Sequence, residues 1–393
     1  MPVLRGNRWV MLAVIFVMAI GRGFQFQSIA VLSPFLVDDF ALSHAEVGLL
    51  FGLYMLPGVV LALPGGVVGQ RFGAGRVAIG GAALMVAGGL VTASSDSFVL
   101  ACLGRVVSGS GAVPLSITLA KMVAEWFAGR EISLAMSVML AAWPLGIGLA
   151  VAMLGTFASA YSWRAAVHAT VLACAVGLVL IATVYRDPAR AAAGGSVIAR
   201  PFAPLSPRTV AMAVGAGLVW TFFNTSFIVL VSSMPAVLVA YGATIGRAGA
   251  LVSLALWVTL VSVPLAGWVA DRIRQPSWMI AGGSVVTALL IFCIPILPHP
   301  TAWFALGAVT AGAPAGAIMA LLPQSLPGAQ VATAFGIYYT VYFLGMAGVQ
   351  PVAGLIRDAS GSPAAQVLFA GVLMLLTAAA FAAYRWIEQR GRR

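Results

Sequence analysis

The sequence predicts an all-α membrane protein with twelve transmembrane helices arranged as two pseudo-symmetric six-helix halves. Three observations carry this expectation. Of the 393 residues, 62% are hydrophobic and only 8% charged, and the mean hydropathy of +1.05 lies far above that of soluble domains. Apolar runs of about 20 residues, enough to cross a hydrocarbon core of about 30 Å as a helix, recur along nearly the whole chain. The basic residues also obey the positive-inside rule: with the N-terminus placed in the cytoplasm, sixteen of the 21 Lys and Arg fall in cytoplasmic segments and three, Arg164, Arg247 and Arg357, fall outside. Both termini are therefore expected in the cytoplasm.

The first span, 9 to 36, follows Arg5 and Arg8 and runs past Arg22 into a polar stretch without a small-residue cleavage site, so it reads as a retained helix and not as a leader. The second, 44 to 69, ends in "PGGVVGQRFG". The third, 77 to 95, carries the small-residue face "GGAALMVAGG", suited to close helix contact. The fourth, 98 to 122, contains "RVVSGSGA" with Arg105, Ser108 and Ser116 on one approximate face and Pro114 placed to bend it. The fifth, 132 to 157, contains "WPLGIG" with Pro144, and the sixth, 163 to 185, contains His168.

Residues 186 to 208 follow, rich in Ala, Gly, Pro and Arg, and read as a cytoplasmic linker between an N-terminal half (1 to 185) and a C-terminal half (209 to 393). The seventh span, 209 to 239, carries "WTFFNTSF". The eighth, 247 to 270, runs into "PLAGWVADRI". The ninth and tenth are 277 to 297 and 301 to 322, the latter with "AGAPAGA". The eleventh, 331 to 355, carries "YYTVYF", and the twelfth is 363 to 386. A repeat relates the halves: Gly66, Gln70 and Arg71 correspond to Gly267, Asp271 and Arg272 at a constant offset, and parallel repeats of this kind characterise many secondary transporters.

A net charge of +11 raises the question of nucleic acid, but the basic residues are dispersed over short loops without interleaved aromatics, and no nucleic-acid partner is expected. Membrane lipid is the main surrounding. The three cysteines, Cys102, Cys174 and Cys293, fall within spans and lack metal-type spacing, so no metal or disulfide is implied. No nucleophile-base pair, phosphate loop or soluble domain appears, which points away from an enzyme and from any cofactor.

These motifs resemble the major facilitator superfamily over essentially the whole chain. Gly66, Gln70, Arg71 and Gly73 are similar to the family's G-x-x-x-D-R-x-G loop, with Gln70 in place of the usual Asp, while Asp271 keeps the acid in the second half. "RVVSGSGA" is similar to R-x-x-Q-G-x-G with Ser108 for the glutamine, and "WPLGIG" to G-P-x-x-G. Within the superfamily, Arg22, Pro34 and Leu42, Ser43, Ala45, Gly48 and Leu49 look most like the cyanate and nitroimidazole permeases of bacterial cytoplasmic (inner) membranes, and "EWFAGREISLA" resembles organic-anion porters. The resemblance implies the major facilitator fold and transport. It also implies gating roles for Gly66, Gln70, Arg71, Gly73, Pro144, Gly267, Asp271 and Arg272.

The candidate binding charge is Arg22. An arginine at bilayer depth is expensive unless it faces a wet cavity or a partner, and none of the ten Asp and Glu residues falls mid-span. A small anion supplies the missing charge, matched by the donor fork of guanidinium; alternatively, backbone carbonyls and water cap Arg22 and tie two helices together. Gln25 shares its helix face. Arg105 either shapes the pocket or anchors packing. Asn224 and Trp220 occupy the pseudo-equivalent position in the seventh span, and Tyr338 and Tyr342 share a face of the eleventh, with Tyr339 on another. The resulting expectation is a secondary transporter, working as a monomer, that carries a small anion such as cyanate, a nitrate-like ion or a small carboxylate by alternating access. Exchange, symport and facilitated diffusion all remain open. The rivals are a drug or organic-cation exporter of the same fold and a membrane-embedded sensor that binds without transport.

Overall fold

The computed structural model describes residues 7–62, 73–127, 131–187, 205–273, 276–319, 321–325 and 328–390. All regular secondary structure among them is helical. The chain forms two compact units, one of Met1–Ala41 and Leu53–Pro201, the other of Leu42–Gly52 and Phe202–Arg393.

In the first unit, α1 (Arg8–Val31) opens on Asn7, whose side chain accepts from the backbone N–H of Trp9. The expected first span, 9 to 36, is broken at Leu32. Pro34 has no N–H to donate and its ring clashes with a preceding helical turn, so the chain restarts as α2 (Ser33–Phe40) with Pro34 in its first turn, where proline is tolerated. Next come α4 (Ala74–Ala93), α5 (Phe98–Trp126), α6 (Ile132–Ala160) and α7 (Trp163–Thr183). Ser97 and Ser162 cap α5 and α7, each accepting from an N–H three residues on. Gly73 precedes α4 at φ 84, a conformation open to glycine and costly for other residues.

Glycines let these helices approach backbone to backbone. A Cβ at Gly81 would lie 2.8 Å from the Gly111 carbonyl oxygen, which fixes α4 on α5; one at Gly23 would lie 2.6 Å from the Trp143 carbonyl oxygen, which fixes α1 on α6. At one end of the unit Asp39 accepts from Trp163 Nε1 at 2.9 Å and from Arg164 at 2.8 Å, and these two bonds, Trp163 first, hold its carboxyl below the usual carboxylate range.

The second unit contains α3 (His44–Gly52), α8 (Pro207–Ala240), α9 (Ile245–Ile273), α10 (Pro276–Cys293), α11 (Pro300–Met319), α12 (Leu321–Ser325), α13 (Gly328–Ser360) and α14 (Pro363–Arg390). Ser206 caps α8 through the N–H of Thr209. Helix α8 packs on α13 and α14, α9 on α11, and α3 on α13. Tyr384 of α14 reaches the Leu321 carbonyl at 3.2 Å and Ser325 Oγ at 3.0 Å, while Glu388 accepts from Arg385 at 2.6 Å.

Among the described residues, nine helices are long and apolar enough to cross a membrane, and Ser277–Cys293 is a shorter apolar helix. The expected second span, 44 to 69, is not one continuous helix: α3 stops at Gly52, residues 53 to 57 form turns, and helix resumes at 58 to 62. Pro57 removes the N–H that would bond back into the preceding turn, and residues 63 to 72 lie outside the described residues.

Candidate functional site

Arg22 is the fifteenth residue of α1, about 21 Å along the helix axis at 1.5 Å per residue. It is half-buried, and its guanidinium carbon sits 4.2 Å from the centre of the Trp143 ring on α6. Such a stack orients the guanidinium plane while leaving its edge donors for other acceptors. The backbone of α6 is brought close by Gly23 on one helix and Gly146 on the other, where a Cβ would strike the Ile20 carbonyl. Pro144, expected to serve gating, lies inside α6 beside Trp143.

Arg105, on α5, is only 2% exposed. Its Nη1 donates to the Gln25 carbonyl and its Nη2 to the Phe26 carbonyl, both at 3.2 Å, so it ties α5 to α1. Its guanidinium carbon lies 4.5 Å from the centre of the Tyr54 ring, and Tyr54 is within electrostatic reach of both arginines. The Tyr54 hydroxyl is buried and has no hydrogen-bond partner among the described residues. Its backbone is pressed against Gly109 of α5, where any Cβ would strike the Tyr54 carbonyl.

Gln25 faces the same core and is 1% exposed. Its Nε2 donates to the Met85 carbonyl of α4 at 2.9 Å, whereas its Oε1 is buried without a partner among the described residues. The amide donor expected to serve a ligand is thus engaged by the protein. The structure brings Arg22, Gln25 and Arg105 together and adds Trp143, Tyr54 and Phe26, whose ring lies 5.1 Å from Trp143 and 5.6 Å from Tyr54.

Among the described residues, the carboxylates sit at or near helix ends. Asp96 pairs with Arg164, Glu125 with Lys121 and Glu131 with Arg8, and Asp187 accepts from the N–H of Gly75. In the second unit Glu46 accepts from Ser43, and Asp358 is joined to His44.

The other expected residues form an aromatic wall within the second unit. Trp220 lies 5.8 Å from Phe223 and 6.3 Å from Tyr342. Tyr338, Tyr339 and Tyr342 join it, with ring centres 5.1 Å apart for Tyr338 and Tyr339 and 6.2 Å for Tyr339 and Tyr342. Tyr339, placed on a different face by helical spacing, belongs to this cluster because each ring is wide enough to reach its neighbours. Asn224 turns its Nδ2 back onto the Trp220 carbonyl at 2.9 Å. Tyr338 is 1% exposed. His168 is exposed on α7.

Of the expected gating residues, Gly73 is the helix-opening glycine described above. Gly66, Gln70 and Arg71 lie outside the described residues. Gly267, Asp271 and Arg272 are helical in α9, and their side chains lie outside the description.

The sequence profile of the Major Facilitator Superfamily matches residues 11–234 and again 214–393, so almost the whole chain is covered by two overlapping matches. The chain belongs to the Major Facilitator Superfamily. Solved superfamily structures agree in fold. The inward-open xylose transporter XylE from E. coli superposes with a TM-score of 0.79 at 15% identity, covering 96% of each chain, and a mutant of the nucleoside transporter NupG gives 0.77 at 12% identity, covering 95% of this chain and 99% of that one. Two curated superfamily relatives are similar over shorter stretches. The hexuronate transporter of Bacillus subtilis (strain 168) is 28% identical over 35% of this chain and 32% of its own length. The 3-(3-hydroxy-phenyl)propionate transporter of Escherichia coli (strain K12) is 30% identical over 38% of this chain and 37% of its own. The chain thus matches about a third of either relative's length.

Proposed function

We propose that this superfamily member is a secondary transporter for a small organic anion, moved by alternating access, with Arg22 as the charge that holds it. The observation that carries the reading is the placement of Arg22: a guanidinium well along a span-length helix, over the Trp143 ring, beside a core that already contains a second arginine. A fixed charge at that depth marks a substrate path by default, and the geometry offers a planar fork suited to a carboxylate.

Two relatives are named for carboxylate substrates, a hexuronate and a hydroxyphenylpropionate. These favour a carboxylate over cyanate or a nitrate-like ion, the substrates suggested by the resemblance of the first span to cyanate and nitroimidazole permeases. Arg105 serves this site as a strut, since two of its donors are held by α1 carbonyls. Exchange of one anion for another is the mode this reading favours. That mode fails if liposomes without internal anion take up substrate as fast as loaded ones.

The deciding experiment is thermal stabilisation of purified wild type and Arg22→Gln across cyanate, nitrate, formate, oxalate, larger carboxylates and organic cations. Stabilisation of the wild type by one carboxylate class, absent in Arg22→Gln, supports the reading. Equal responses in both proteins remove it. The aromatic wall of Trp220, Tyr338, Tyr339 and Tyr342 favours one second reading, an organic-cation exporter, because such rings attract cations through their faces; stabilisation by cations alone would select it. Saturable binding in a protein that moves nothing in liposomes would select a sensor.

A further inference from the structure

The end of α14 gathers three arginines around one carboxylate. Arg208, in the first turn of α8, donates to the Glu388 carbonyl at 2.7 Å, and Arg385 donates to the Glu388 carboxylate at 2.6 Å. The guanidinium carbon of Arg390 lies 3.6 Å from the centre of the Trp386 ring, one helical turn back. The acid is turned inward: Glu388 is 6% exposed and also accepts from Ser325, whereas Arg208 and Arg390 are exposed and Arg385 is half-buried. The surface of these turns is therefore cationic.

Two tryptophans mark the level of this end. Helices α10 and α14 pack together, with Gly371 of α14 against the Phe292 ring of α10. Connections of two to eight residues reverse the chain between the long helices from α10 to α14, so these two run in opposite directions. From Phe292 back to Trp278 is 14 residues and from Gly371 on to Trp386 is 15, or about 21 and 22 Å at 1.5 Å per residue. The two indoles thus stand at nearly the same level, Trp278 73% and Trp386 55% exposed. Helix α14 has 28 residues, about 42 Å, against a hydrocarbon core of about 30 Å. Its last two turns reach beyond such a core into the headgroup layer, where tryptophan is enriched.

We propose that this end of α14 is a headgroup site for an anionic phospholipid, with Arg390 and Arg385 facing the phosphodiester and Trp386 and Trp278 at the border with the acyl chains. Charge complementarity selects an anion, because the one carboxylate among three guanidiniums is withdrawn from the surface. The indoles select a lipid over a free phosphate: an indole is favoured where one side is apolar and the other wet, and a small ion would leave both rings in water. Stacking orients the Arg390 guanidinium and leaves its edge donors to a phosphate. This is also the end that the charge bias of the sequence assigns to the cytoplasm, where anionic lipid attracts basic side chains.

The test is native mass spectrometry of the purified full chain, offered equal amounts of phosphatidylglycerol and phosphatidylcholine with the same acyl chains. Wild type is expected to retain phosphatidylglycerol in preference. Arg390→Gln should lower that preference about fivefold, the size of one basic residue near an anionic surface. Trp386→Leu, which removes the ring under Arg390, should lower it about twofold to fivefold. Arg247→Gln is the control: it alters an exposed arginine at the start of α9, the opposite end of the unit, and should change nothing. No preference in the wild type, an unchanged preference in Arg390→Gln, or an equal loss in Arg247→Gln overturns the proposal. Retention of inorganic phosphate that Arg390→Gln abolishes, without discrimination between the lipids, overturns it in favour of a free-phosphate site. Arg22 is intact in every variant, so the outcome is separate from that of the anion reading.

Discussion

The guanidinium carbon of Arg22 sits over the indole of Trp143, 4.2 Å from the ring centre. That contact joins α1 to α6 within an apolar helix of membrane-spanning length, and the glycines Gly23 and Gly146 allow it by removing side chains from between the two backbones. The orientation of Arg22 therefore depends on residues that carry no charge themselves.

Replacing Trp143 with Leu is expected to weaken anion binding by about fivefold to thirtyfold, the range of a partly desolvated cation–π contact of about 1–2 kcal/mol. Arg22→Lys should lose more, because an ammonium cannot present the planar fork. Titration of substrate-induced thermal stabilisation checks both. Equal affinity in Trp143→Leu would show that the indole does not orient the arginine.

Gly23→Ala places a methyl 2.6 Å from the Trp143 carbonyl oxygen and must push α1 from α6. The expected cost is about 1–3 kcal/mol of stability, visible as a lower unfolding temperature in detergent and accompanied by weaker anion binding. Gly80→Ala, where a Cβ meets nothing within 4 Å, is the matched control and should leave both unchanged.

Arg105→Lys cannot reproduce the forked pair of bonds to the Gln25 and Phe26 carbonyls. A loss of about 1–3 kcal/mol is expected from a buried charge that keeps fewer of its hydrogen bonds, read as a drop in unfolding temperature even without substrate. Tyr54→Phe acts in the opposite direction: it removes a buried hydroxyl that has no partner among the described residues, so the substrate-free protein should be unchanged or slightly more stable.

Asp39 gives a pH-dependent test. Its carboxyl is held below the usual range by Trp163 and then Arg164, so its contribution is present above the ordinary carboxylate pKa and is lost as pH falls through the lowered value. The difference in unfolding temperature between wild type and Asp39→Asn should be constant near neutrality and shrink at acid pH. A difference that grows on acidification would contradict the sign.

The membrane fold was legible because hydropathy and charge placement are properties of whole segments. Arg22 was legible for the same reason, as one charge in an apolar run. Its neighbours were not. Trp143 stood beside Pro144 in a motif that suggested bending, and nothing local ties it to α1. Tyr54 lay in a run that looked like continuous helix, although Pro57 was the available sign that the helix would break and turn that ring into the core. Helical spacing put Gln25 on the right face but could not say that Met85 would take its amide. The same arithmetic separated Tyr339 from Tyr338 and Tyr342, because it locates Cβ atoms and ignores the reach of a ring. The breaks at Leu32 and at residues 53 to 57 share a cause, a proline placed where regular helix would otherwise continue.

The glycine seam between α3 and α13 has a mechanical consequence. At three crossings a glycine lies against a backbone carbonyl, so the two helices touch there without a Cβ between them. A substitution as small as a methyl at Gly48, Gly52 or Gly354 would strike that carbonyl and must push α3 from α13.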